Sequence, residues 1–245
     1  MMIKTKLKML ASDLDGTLLG DHDAIKWFAE WTSANRDTVY LVYVTGRFFG
    51  SVAEMVRTSR LPEPDAVVAA VGTSIHLYPS GEILKEWQDR VDDSWNAHAV
   101  RQMFANQKHL RLQDEEFQSE FKVSYYAENA DSQQLEAWRR KLQSVGINAK
   151  MIYSSNHDLD FLPVGMNKGD AVAYLAERWN IADENVLVSG KTGNDKALFE
   201  RGFSGIIVAN AKPELMAVNG PDTYHAQYAC AAGVLEGIQH LWEPK

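Results

Sequence analysis

Two acids two residues apart, Asp13 and Asp15, stand in the string Asp13-Leu14-Asp15-Gly16-Thr17, directly after a short apolar run. Carboxylates that close repel each other, and a hard divalent cation such as Mg2+, which takes oxygen ligands, relieves the repulsion. Once ionised and oriented, one carboxylate can attack phosphorus and form an acyl phosphate. Its neighbour can protonate the leaving oxygen and then activate water. Gly16 lets the chain turn away tightly. An Asp-Gly turn with incidental acids is the plain alternative; the apolar run leading into the whole string argues against it.

Three more strings carry polar groups of the right kind. Val44-Thr45-Gly46-Arg47 offers a hydroxyl and a main-chain N–H to a phosphate oxygen. It reads equally well as a strand-to-helix turn with a capping threonine. Asn167-Lys168-Gly169-Asp170 puts a lysine at a helix start, where the helix dipole disfavours a cation. An anion bound at the same place would give it a partner, while a solvated surface lysine is the ordinary alternative. Gly190-Lys191-Thr192-Gly193-Asn194-Asp195 is a Gly-rich turn in which Asp195 can serve as a metal ligand or as an acceptor behind one. Its Gly-Lys-Thr is not a nucleotide-binding loop, because that loop needs a second glycine five residues earlier and Asn185 stands there.

The segments that must position these groups are legible from periodicity. Runs at 7–12, 39–44, 66–71, 185–189 and 205–209 are apolar on both faces, as buried parallel strands are. Helical patterns fill 24–33, 51–60 and 169–179. The alternation predicts an α/β fold with a doubly wound, Rossmann-like parallel sheet. Ligands of such sheets bind beyond the carboxyl ends of the strands, so Asp13, Thr45, Thr73, Lys191 and Asn210 should converge on one rim. Residues 81–164 read differently: a strand at 81–87, a helix at 92–107, strands at 110–113 and 120–126, a helix at 132–144, and strands at 147–153 and 158–162. This is an α+β unit inserted as a cap between the halves of a core formed by 1–80 and 165–245. Pro79-Ser80-Gly81 and Pro163-Val164-Gly165 would be its hinges. Alternation in 121–126 puts Lys122 and Ser124 on one face, toward the rim of the core when the cap closes; a solvent-facing cap strand is the other option.

The chain of 245 residues suits one elaborated domain or a core with a smaller second one. Apolar residues make up 45%, enough for a real core. A formal net charge of -8 argues against a general nucleic-acid binder. Cys230 is the only cysteine, so no internal disulfide forms and a reducing compartment is expected. The apolar stretch near the N-terminus, broken by Asp13 and Asp15, is too short for a signal segment or a membrane span. The expectation is a cytoplasmic protein with a small-molecule partner.

Taken in order, the four strings resemble the haloacid dehalogenase superfamily of phosphohydrolases, with a type-II cap between the second and third motifs. Within it the chain is similar to the sucrose-phosphate phosphatase branch, to which bacterial mannosylfructose-phosphate phosphatases also belong. The resemblance rests on SDLDGTLLGD at 12–21, VTGR at 44–47, AVGTSI at 70–75, FKVSYY at 121–126, NKGDA at 167–171 and VANAKPEL at 208–215. It implies a Mg2+-dependent phosphatase acting on a disaccharide phosphate, with Asp13 as nucleophile and Asp15 as general acid and base. It further implies that Thr45, Gly46 and Lys168 hold the phosphoryl group, that Asp13, Asp15 through its main-chain carbonyl, and Asp195 serve Mg2+, and that Gly72, Thr73, Asn210, Lys122, Ser124 and Tyr125 contact the sugars. One position departs from the pattern. The fourth motif of the family reads Gly-Asp-x-Gly-Asn-Asp, and its first acid, a metal ligand, is Lys191 here. A catalytically weakened relative that still binds a phosphorylated sugar is therefore the second expectation.

Overall fold

The computed structural model describes residues 6–243, so residues 1–5 of the N-terminal stretch lie outside it. The chain-order strands are β1 Lys8–Ser12, β2 Val39–Val44, β3 Ala66–Ala69, β4 Ser74–Leu77, β5 Arg111–Leu112, β6 Val123–Tyr126, β7 Ala149–Ser154, β8 Asp158–Pro163, β9 Val186–Gly190, β10 Ser204–Ile207 and β11 Thr223–His225. They form two sheets. One is seven-stranded in the order β11-β10-β9-β1-β2-β3-β4, and the other is four-stranded in the order β5-β6-β8-β7.

The large sheet is buried on both faces, which explains the uninterrupted apolar runs. Successive residues of one strand enter opposite cores: Met9 and Ala11 pack with Val42, Val44 and Val188 on one side. Leu10 packs with Leu41, Tyr43 and Leu187 on the other. This is the doubly wound α/β fold expected from the sequence. Six strands are parallel, but β4 returns antiparallel against β3. The reversal is made by residues 70–72, where Ala70, Val71 and Gly72 all have positive φ. Residues 66–71 therefore do not form one continuous strand.

The small sheet is wholly antiparallel and belongs to the inserted segment. Its inner face is covered by the helices Ala97–Phe104 and Ser132–Ser144, through Val100, Phe104, Trp138 and Leu142. Aspartate capping starts two helices cleanly. Asp21 accepts from Asp23 N and Ala24 N ahead of the helix His22–Asn35. Asp131 and Gln134 form a reciprocal capping box ahead of Ser132–Ser144.

Several expected elements come out differently. Residues 81–87 are not a strand: Ile83 makes a single bridge to His76, and Lys85–Gln88 is a short helix. The reason is tertiary, because Leu84 and Trp87 insert into the first core cluster, and the Trp87 indole donates to the Gly72 carbonyl at 2.9 Å. These two residues thus pack with the core, although they lie on the cap side of residue 81. The helix expected over 92–107 is only Ala97–Phe104, since Asp92 and Ser94 form a turn before the Asn96 cap. The helix Cys230–Trp242 escaped the periodicity because Gly233 and Gly237 dilute its apolar face. Its closeness to the sheet explains Gly237, where a Cβ would lie 2.5 Å from Ile206. No helix among the described residues is long and apolar enough to cross a membrane.

Close approach at one glycine sets the position of the helix Lys168–Arg178 relative to the short helix Lys196–Glu200. A Cβ on Gly169 would lie 2.0 Å from the main-chain oxygen of Ala197. Backbone cannot yield as a side-chain tip can, so Gly169→Ala should lower stability by about 1–3 kcal/mol. Urea denaturation monitored by circular dichroism checks this, and an unchanged midpoint would contradict the close packing.

Candidate active site

Asp13 sits one residue beyond β1, and its N–H still bonds to the Ser189 carbonyl of β9 at 3.1 Å. Two adjacent central strands therefore fix its backbone. Its carboxylate is almost fully buried and has one partner per oxygen. Oδ1 accepts from Lys168 Nζ at 2.9 Å, and Oδ2 accepts from the Thr17 hydroxyl at 2.7 Å. The Lys168 side chain is wholly buried and makes a second bond, 2.6 Å, to Asp195 Oδ1. Asp195 Oδ2 in turn accepts the main-chain N–H groups of Lys191 and Thr192 at 2.8 and 3.0 Å.

The electrostatics of this triad follow from burial. Burial opposes the Lys168 charge, but the Asp13 and Asp195 carboxylates outweigh it and hold the ammonium above its ordinary pKa. Two buried carboxylates share one ammonium, so one must be poorly compensated. The Asp13 pKa is pushed up to about 6 by burial and by the Asp195 charge, against the pull of Lys168 and Thr17. Lysine at a helix start is thereby explained: two anions offset the unfavourable dipole.

Asp15 is set differently. Its half-exposed carboxylate takes a two-pronged bond from Arg47, 2.7 Å from Nε and 2.8 Å from Nη2. That fork raises the Arg47 pKa. Thr45 is buried; its hydroxyl accepts the Arg47 N–H at 3.1 Å, which is the turn-capping contact, and its N–H donates to Val68.

Asp13, Asp15, Gly46 and Arg47 open onto a cavity of about 470 Å³. Lys191, Thr192 and Asn194 line the same side. The opposite wall belongs to the inserted segment and includes Lys122, Tyr126, Ser154, Asp158 and Asp160. The ammonium of Lys122 lies 3.7 Å from Asp160 and 5.4 Å from the centre of the Phe48 ring, so the cap reaches the core here. Ser124 lies behind this wall and donates to Asp160 at 2.5 Å.

Five of the six expected sugar contacts do not line the cavity, Ser124 among them. The Tyr125 ring packs edge-on against Phe104 and Phe161 in the cap core, and burial pushes its hydroxyl pKa up to about 12. Strand alternation explains the error: with Lys122 facing the cavity, Tyr126 faces it too and Tyr125 must face away. Gly72 is pressed against the Asn167 main chain, and the Thr73 hydroxyl donates to the Ala70 carbonyl at 3.0 Å. Asn210 ties loops together, donating to the Gly16 carbonyl at 2.9 Å and accepting the Cys230 N–H. The cavity residues that sequence reasoning missed had a signal. Asp158 and Asp160 interrupt an otherwise apolar strand at a spacing of two, and they pair across the sheet with Tyr126 and Ser124.

The expected magnesium ligands are not assembled. Both Asp13 oxygens and both Asp195 oxygens are taken by hydroxyl, N–H and ammonium donors, and Lys191 brings a cation to the same cavity. Among the described residues no group of three or more His, Cys, Asp or Glu side chains is placed to hold a metal ion. The donor set therefore does not fit a divalent cation of the kind the family resemblance implies.

A doubly wound sheet with a buried Asp–Lys–Asp triad at its strand ends, faced by an inserted α+β cap, is the architecture of a haloacid dehalogenase-type hydrolase. The chain is similar to the sucrose-phosphatase from Synechocystis sp. PCC6803, solved in complex with sucrose and phosphate, with a TM-score of 0.91 at 33% identity over 96% of this chain and 98% of that one. Residues 6–242 match the family described as sucrose-6F-phosphate phosphohydrolase. The chain belongs to that family of phosphoric monoester hydrolases. A mannosylfructose-phosphate phosphatase from Agrobacterium fabrum is 33% identical over 96% of both chains. Sucrose-phosphatase 2 of Nicotiana tabacum is also 33% identical, but the match covers 95% of this chain and only 58% of that longer protein.

The Asp13 pKa has a consequence for stability. Relative to its ordinary value of 3.8, a folded-state value of about 6 means that the folded protein favours the protonated acid. The stability associated with this group is complete below the lower value and is lost as pH rises through the higher one. Asp13→Asn, which carries no charge at any pH, should therefore be more stable than the parent at pH 8 in chelator, by about 1 kcal/mol or more, equivalent to ~2–4 °C in Tm for a chain of this size. The advantage should vanish near pH 4. Thermal melts of both proteins across this range test it; a parent more stable than the variant at pH 8 would show that Asp13 is comfortably ionised.

Proposed function

We propose that the protein hydrolyses the phosphomonoester of a disaccharide phosphate, of the sucrose-6-phosphate or mannosylfructose-phosphate type, through an acyl phosphate on Asp13. The observation that carries this reading is a single one. A carboxylate locked at the strand ends by Lys168 and Thr17 opens onto a polar cavity whose far wall is the cap. A rigid carboxylate suits in-line attack, because its orientation costs nothing at the moment of reaction. The names of the relatives support the substrate class.

In the first half-reaction an Asp13 oxygen bonds to phosphorus while the bond from phosphorus to the sugar oxygen breaks. The leaving oxygen takes a proton from Asp15. In the second, Asp15 takes a proton from water, the hydroxide oxygen attacks phosphorus, and the acyl-phosphate bond breaks to restore Asp13 and release phosphate. Lys168 stabilises charge on the transferring group, and the Gly46 N–H borders the same space. Arg47 engages both carboxylate oxygens of Asp15. A phosphate dianion offers Arg47 a competing partner, and substrate entry would then free Asp15. On the cap wall, Lys122, Asp158, Asp160 and Tyr126 provide donors and acceptors for sugar hydroxyls. The absence of an internal disulfide suits a reducing, cytoplasmic setting.

A second reading, binding of a phosphorylated sugar without efficient turnover, is favoured by one feature: the cation Lys191 at the position where the motif pattern of the family resemblance has an acid.

Both readings meet at Asp15. Asp15→Asn should reduce phosphate release from a disaccharide phosphate by about 10²–10⁴-fold, and much less from an aryl phosphate whose leaving group needs no proton. Equal losses on both substrates would remove Asp15 from the acid role. A parent protein that binds the sugar phosphate in calorimetry yet releases no phosphate would decide for the second reading.

A further inference from the structure

The misfit between this site and a divalent cation traces to one side chain. Lys191 follows the last residue of β9, and its N–H is held by Asp195, so its backbone cannot drift from the strand end. Lys191 is half-buried. It reaches across to the loop after Asp15, where a Cβ placed on Gly16 would lie 2.5 Å from Nζ, 2.9 Å from Cδ and 3.0 Å from Cε. Gly16, at φ +75, has no side chain there, and the Lys191 stem occupies that space. Lys191 lines the cavity with Asp13 and Asp15.

Charge counting gives the exchange a meaning. A metal-ligating carboxylate together with a bound dication sums to one positive charge. A lysine at the same position supplies one positive charge with no ion at all. The phosphoryl group in this cavity would then face the same net charge from that position as in a magnesium enzyme. Asp195, freed of any duty to a metal, is fully engaged in holding Lys168 and the Lys191 main chain.

We propose that Lys191 stands in for the metal. Its ammonium contacts the phosphoryl group beside Asp13, and the protein binds and hydrolyses its phosphomonoester without a divalent cation. Lys191 donates no proton and forms no covalent bond; it supplies charge and hydrogen bonds, and the bonds made and broken are those at Asp13 and Asp15 described above. The proposal rests on the phosphatase reading for turnover, but not for binding.

Two variants and two kinds of measurement test it. Lys191→Met keeps length and removes charge; Lys191→Asp restores an oxygen ligand. In EDTA, the parent should release phosphate from a sugar phosphate and should change less than about two-fold on adding Mg2+, a difference too small for a required ion. Calorimetry in metal-free buffer should show inorganic phosphate binding to the parent and binding at least about ten-fold weaker to Lys191→Met, the size expected for losing one charged hydrogen-bond donor. Titration with Mg2+ alone should give no binding heat for the parent, whereas Lys191→Asp should bind Mg2+ and release phosphate only in its presence. A parent that binds Mg2+ and is silenced by EDTA overturns the proposal, as does equal phosphate affinity in the parent and Lys191→Met. If no variant hydrolyses anything under any condition, the phosphatase reading falls, and the phosphate titrations still decide the role of Lys191.

Discussion

One buried ammonium organises this molecule. Lys168 has no exposed surface, and its two carboxylate partners follow adjacent central strands that are far apart in sequence, Asp13 after β1 and Asp195 in the turn after β9. Removing Asp195, the partner that lies wholly out of solvent, or the ammonium itself leaves a desolvated ion short of compensation, at a typical cost of about 3–5 kcal/mol. The helix that begins at Lys168, the turn that carries Asp195 and the central strands are thus held to one geometry. The open valence of the triad is Asp13, the acid whose ionisation is least well compensated and which is exposed to the cavity.

The cavity gains its second wall from a different kind of network. Lys122, Ser124 and Asp160 are buried polar side chains on neighbouring strands of the cap, and Gln118 fastens the same strand by accepting the Ser124 N–H and donating to its carbonyl. Buried polar groups persist only when satisfied, and these satisfy one another on the side facing Asp13. The contact of Lys122 with Phe48 sets the depth of the space between the two walls. A polar enclosure of this depth suits a hydroxyl-rich molecule better than an apolar one.

Overall charge and local charge point in opposite directions. The chain carries a net charge of -8, yet Lys122, Lys168, Lys191 and Arg47 all gather around one cavity or directly behind it. A protein can repel anions at long range and still hold one at short range, because screening in salt limits surface fields to about 8–10 Å while buried partners are screened far less.

The sequence by itself determined the large architecture and the chemical end of the site. Uninterrupted apolar runs such as 39–44 can satisfy only a strand buried on both faces, and Asp13, Lys168 and Asp195 stand immediately beyond such strands or at a helix start, where backbone geometry alone brings them near one rim. Position within a regular element follows from local periodicity, and so it can be read from local sequence. Contacts between elements cannot. Whether Tyr125 or Tyr126 faced the cavity depended on which face of β6 the cap helices cover; whether 81–87 was strand or helix depended on Trp87 finding a place in the core; and the antiparallel β4 depended on three residues with positive φ. Above all, tertiary structure alone decided that Asp15 turns to Arg47, that both oxygens of Asp195 are spoken for, and that the Lys191 ammonium lies over Gly16. Each of these is a competition among partners distant in sequence, settled by distance and burial once the strands are in register.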